Sequence, residues 1–149
     1  MEKHRISAED RSFREEFEGC RLTPAVFDHH AHVRLAYTYL VENDPQAATA
    51  LMRSALLAFL RHHGIDAAKY HETLTRAWIL AVRHFMESSP PSASADAFIA
   101  NDPRILDSKI MLTHYSAGLL FSPQAREGFV EPDLEEIPKH EPGLSHPKP

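Results

Sequence analysis

Apolar residues along this chain recur every three to four positions, and almost every interruption carries a helix-start or helix-stop signal. Ser7 with Asp10 forms a capping-box pattern. It opens a short helix on which Phe13 and Phe17 lie one turn apart, and Gly19 supplies a stop. Thr23-Pro24 predicts a second helix running to about Asn43, with Val26, Val33, Ala36, Tyr37 and Leu40 as its apolar stripe. Asp44-Pro45 repeats the start signal at once, so the next helix should run back antiparallel. Its core face is Ala48, Leu51, Met52, Ala55 and Phe59, and Gly64 ends it. Asp66 then caps a third long helix over 67–87, with Tyr70, Leu74, Trp78, Ala81 and Phe85 inward.

The SSPPSASA stretch at 88–95 is a loop by composition, followed by a short helix over 96–100 and a new start at Asp102-Pro103. Apolar positions over 105–121 predict a fourth long helix, broken near 116–118, and Ser122-Pro123 starts one more turn. No segment alternates as a strand would. The expected fold is all-α: one domain over 1–134, a bundle of about four main helices with short accessory helices. The polar residues 1–6 read as frayed, and the Pro-rich 135–149 read as a flexible tail.

Composition narrows the function classes. The 149 residues carry a formal charge of -5 with Lys and Arg scattered, which disfavours nucleic acid as a partner. No apolar run approaches bilayer length and no signal-peptide pattern opens the chain, so the expectation is a cytoplasmic protein without a membrane partner. One cysteine, Cys20, excludes an internal disulfide and a Cys-rich metal framework. Five glycines and no Walker or dinucleotide fingerprint argue against phosphate loops.

Eleven histidines are many for this length, and three of them stand in FDHHAH. On a helix, His29 and His32 lie about 60° apart, one turn above the other, which allows two imidazoles to reach one ion. His30 falls on the opposite flank. His71, near the inner face of the predicted third helix, would supply a third imidazole. Three neutral imidazoles with open positions describe a catalytic metal arrangement. The expected centre is therefore a divalent ion on His29, His32 and His71, with iron or copper oxidative chemistry on a small-molecule substrate slightly favoured over zinc hydrolysis. Glu72 would move a proton, and Tyr37, Tyr70, Trp78 and His114 would wall the substrate pocket. The bland alternative is a non-catalytic helical binding protein whose histidines are core or boundary residues; metal sensing is a third reading. An exposed bundle face leaves room for a homo-oligomer contact.

The motif F-x-H-x-x-H-V-R-L-A from Phe27 to Ala36, K-Y-H-E-T-L-T from Lys69 to Thr75, and the later Tyr115-Ser116, Ala125-Arg126 and Pro132-Asp133-Leu134 resemble a family of small, largely uncharacterised bacterial all-helical proteins. The resemblance spans about 13–134. It implies that His29, His32, His71 and Glu72 belong to a shared motif and leaves His30 outside it.

Overall fold

The computed structural model describes residues 3–138. Four helices form the body: α1 (Ala8–Glu18), α2 (His29–Glu42), α3 (Pro45–His62) and α4 (Glu72–Glu87). Four short helices follow: α5 (Ala95–Asn101), α6 (Met111–His114), α7 (Ala117–Leu120) and α8 (Pro123–Glu127). Among the described residues there is no strand, and no helix is long and apolar enough to cross a membrane. The all-α bundle expected from the hydrophobic pattern is the fold observed.

The fourth main helix, however, is α1, which packs on α2 and α3. The 105–121 stretch does not form a long helix because local caps divide it. Asp102 and Asp107 each turn a side chain onto a backbone amide two residues on and close 3-10 turns at Pro103–Leu106 and Ser108–Ile110. Ser116 then caps α7. The result is a series of single turns rather than one long helix.

Two helix starts also move. Thr23-Pro24 opens only a 3-10 turn, Pro24–Val26, and Thr23 makes no capping bond. The working cap of α2 is Asp28, which accepts from the Ala31 amide at 2.9 Å. Asp66 likewise caps only the 3-10 turn Ala67–Lys69, and α4 begins after His71. Left-handed backbone at the exit of α1 falls on Cys20 (φ 59°) rather than on Gly19 (φ -82°).

Helix α2 is the centre of the molecule. From Val33 to Leu40 all but Arg34 are buried, so this helix is apolar nearly all round rather than along one stripe. Its most buried charged contact among the described residues is Arg34 with Asp10, which is only 1% exposed. Burial alone would raise the Asp10 carboxyl. Amide donors from Ala95 and Ser7 and the Arg34 guanidinium outweigh it and hold the pKa below the usual carboxylate value. Asp10 thereby ties α1 to α2 and α5.

Both chain ends that read as loose are packed where they are described. His4 accepts from the Ser92 amide through Nδ1, donates through Nε2 to the Met86 carbonyl, and stands edge-on to Tyr37 and Phe98. At the other end Ile137 is 5% exposed, and the Leu134 amide donates to the His114 carbonyl. The packed domain thus reaches past residue 134; the rest of the predicted tail, 139–149, lies outside the described residues.

Candidate functional site

A pocket of about 510 Å³ opens where the amino-terminal turn of α2 and the first half of α4 face the broken 105–121 segment. Phe27, Leu74, Trp78, Met111 and Leu120 make most of its wall, and His29 and His32 add two imidazoles to it. Its volume is in the range of small-molecule sites, whose usual design is an apolar cavity with a few polar groups. Leu112, 42% exposed, and Phe121, 59% exposed, also line it, so apolar side chains meet water there.

The two histidines are positioned by the Asp28 cap. With the helix starting at His29, this residue sits in the first turn and His32 one turn later. His29 donates from Nε2 to the Ile105 carbonyl at 3.1 Å, and its ring lies 4.5 Å from the Trp78 indole at 64°. That bond pins the 105–121 segment to α2. His32 makes an edge contact with Phe27 and lies 6.4 Å from the His29 ring, the two planes only 15° apart. Among the described residues, no hydrogen bond reaches either ring nitrogen of His32. Burial first, and the neighbouring His29 second, push its pKa down to about 4, so the ring is neutral at physiological pH. His30 is exposed, as its helical phase required.

His71 has a different role from the one its sequence position suggested. It is the cap of α4: Nδ1 accepts from the Leu74 amide at 3.1 Å. The proton must then sit on Nε2, which donates to the Leu120 carbonyl at 2.8 Å. Burial lowers its pKa, against the opposing pull of the Leu120 bond. Both ring nitrogens are thus committed to backbone. Among the described residues, no group of three His, Cys, Asp or Glu side chains could hold a metal ion. The phase argument that turned His71 inward beside His29 and His32 assumed a helix running through residue 71, and the helix begins one residue later.

Glu72 is also occupied elsewhere. It is bonded to both the Nε and an Nη of Arg53 and accepts from the Tyr70 hydroxyl at 2.7 Å. Arg53 chiefly holds its carboxyl below the usual range, against burial. Glu72 and Tyr70 do not line the pocket, because this network faces α3. Tyr37 lies on the other side of α2, donating to the Arg5 carbonyl at 2.7 Å. His114 bonds the Glu135 carbonyl through Nδ1 at 2.6 Å and anchors the irregular segment that follows α8. Of the four residues expected to wall the pocket, Trp78 does so.

The sequence pattern missed Phe27, Asp28 and Leu74, and on the covering segment Ser108, Lys109, Met111, Leu112, Leu120 and Phe121, as lining residues. A usable signal was present: Leu112 and Phe121 are large apolar residues that no single helical stripe over 105–121 buries together with Met111 and Leu120. No protein-family model, curated protein or solved structure matches the chain.

Proposed function

We propose that the protein binds a small, mostly apolar molecule in the Trp78 pocket, with the neutral His32 imidazole as its hydrogen-bonding anchor. The observation that carries this reading is the His32 ring itself. A polar side chain half-buried in an apolar wall normally finds a protein partner or water, because leaving it unpaired costs about 1–3 kcal/mol. His32 has none, and its nitrogens are not among the fully buried, unpartnered atoms of the chain. The ring lines the pocket and keeps part of its surface accessible. A ligand group placed there satisfies the ring nitrogens in the bound state and gives the pocket one directional contact among many apolar ones.

A metal-dependent oxidative enzyme built on His29, His32 and His71 is the competing reading. It requires His71 to give up its cap and its Leu120 bond together, and Glu72 to leave Arg53. Each loss costs about 1–2 kcal/mol before any ion binds. Ligand binding at His32 requires nothing to move, and is preferred for that reason.

Trp78 is the only tryptophan of the chain, so its fluorescence reports on this pocket alone. Titration with a neutral aromatic probe, 4-phenylbutanamide, is expected to change Trp78 emission saturably. In His32→Leu, which keeps the wall apolar, binding should weaken about tenfold. No saturable change in the native protein would end the proposal.

A further inference from the structure

The charged groups around the pocket mouth are unequal, and the inequality indicates what the ligand carries. Asp28 and Lys109 are the two full charges among the lining residues, with His29 and His32 as the other titratable groups facing the cavity. Asp28 is spent: its Oδ1 accepts from the Ala31 amide and it stands against the positive end of α2, which offsets its charge. Lys109 is not. It sits on the Ser108–Ile110 turn, its backbone amide held by Asp107, and among the described residues its ammonium has no carboxylate partner. The rim therefore carries one ammonium without an ion-pair partner among the described residues, beside the Ser108 hydroxyl and on the same turn as the Asp107 carboxylate, above a cavity lined by Trp78, Phe27, Leu74 and Leu120.

We infer that the ligand is a monocarboxylic acid with an aromatic or branched apolar body, its carboxylate at Lys109 and Ser108 and its body against Trp78. This deepens the proposed function and rests on it. A single lysine and one hydroxyl match a monoanion; a phosphate dianion needs more donors than the mouth offers and would meet an apolar lip at Leu112 and Phe121. An ammonium ligand would suit the aromatic wall, but it would face Lys109 with Asp28 already turned to its helix.

Three probes of one shape separate the cases: 4-phenylbutyrate, 4-phenylbutanamide and 4-phenylbutylamine, each titrated against the full chain by Trp78 fluorescence and calorimetry. The acid is expected to bind about two- to fivefold tighter than the amide at low salt, with the advantage shrinking as salt rises. Lys109→Gln, at an exposed position, should remove that advantage, so that acid and amide bind alike in the variant. Equal binding of acid and amide, tighter binding of the amine, or an acid preference that survives Lys109→Gln would overturn the carboxylate assignment while the pocket stands. Failure of all three to perturb Trp78 would overturn both.

Discussion

His71 and His32 stand on two helices that meet the same covering segment, and both are pushed toward the neutral form by burial. One has both ring nitrogens bonded to the fold, and the other has neither. His71 caps α4 with one nitrogen and holds the Leu120 carbonyl with the other. His32, on the pocket wall, bonds to nothing in the described protein. The comparison separates two reasons for a histidine in an apolar setting. A ring with both nitrogens engaged is architecture, and a ring with both free, facing a cavity, is available for recognition. His29 is intermediate: Nε2 latches Ile105, and its ring also lines the pocket.

The largest effect expected from this contrast is on folding. His71→Ala removes a helix cap, leaves the Leu120 carbonyl without its donor and opens a void, so unfolding by urea should show a loss of about 3 kcal/mol. A loss under about 1 kcal/mol would mean that His71 is not the structural member of the pair. Acid should act next. The pKa of His32 near 4 lies below the ordinary 6.5, so between those values the unfolded chain binds more protons. Stability from this group is complete above about pH 7, falls as pH drops from 6.5 toward 4, and levels off below. The loss should be about 2 kcal/mol, the ring's opening to the pocket having reduced the full linkage value. His32→Leu should remove that part of the pH dependence; an unchanged acid limb would assign it elsewhere. The depressed Asp10 carboxyl acts lower on the same scale, since its contribution is present above the unfolded carboxylate pKa and lost as pH falls through the lower folded value.

A milder version of the first experiment sharpens it. His71→Asn keeps a good capping side chain but not the reach to Leu120, and should cost about 1 kcal/mol, roughly a third of the alanine effect. The smallest stability change belongs to His32→Leu near pH 7.5, within about 0.5 kcal/mol of the native chain, because it exchanges an unpaired polar ring for an apolar one. Its loss should appear in ligand binding instead. Chelator should leave the melting temperature unchanged; a large drop reversed by a divalent ion would restore the metal centre, since an ion bound only to the folded state must stabilise it.

Much of the bundle was legible because α1, α3 and the ends of α2 and α4 follow strong local rules. Ser7 and Asp44 cap where the pattern predicts, and the apolar periodicity carries through to Glu42, His62 and Glu87. The starts of α2 and α4 were not, since in each case an earlier cap signal, Thr23-Pro24 or Asp66, competes with a later one and closes only a 3-10 turn. Histidine is not a favoured cap, so nothing local marks His71 as one. That one-residue displacement decides the site: it turns a presumed inward ligand into a backbone clamp. The pocket's far wall was hidden for another reason. Segment 105–121 is held by long-range bonds from His29, His71 and the Asp133–Ser116 pair, and no local periodicity encodes partners 17 to 76 positions away.

The contrast between the two histidines is open to one direct observation. Long-range 1H–15N NMR of the imidazoles at pH 7 should show His71 as a fixed Nε2–H tautomer and His32 as a neutral ring. Saturating 4-phenylbutyrate should then shift the His32 nitrogens and leave those of His71 in place. Ligand-induced shifts confined to His71, or a His32 ring already locked in one hydrogen-bonded tautomer without ligand, would contradict the account.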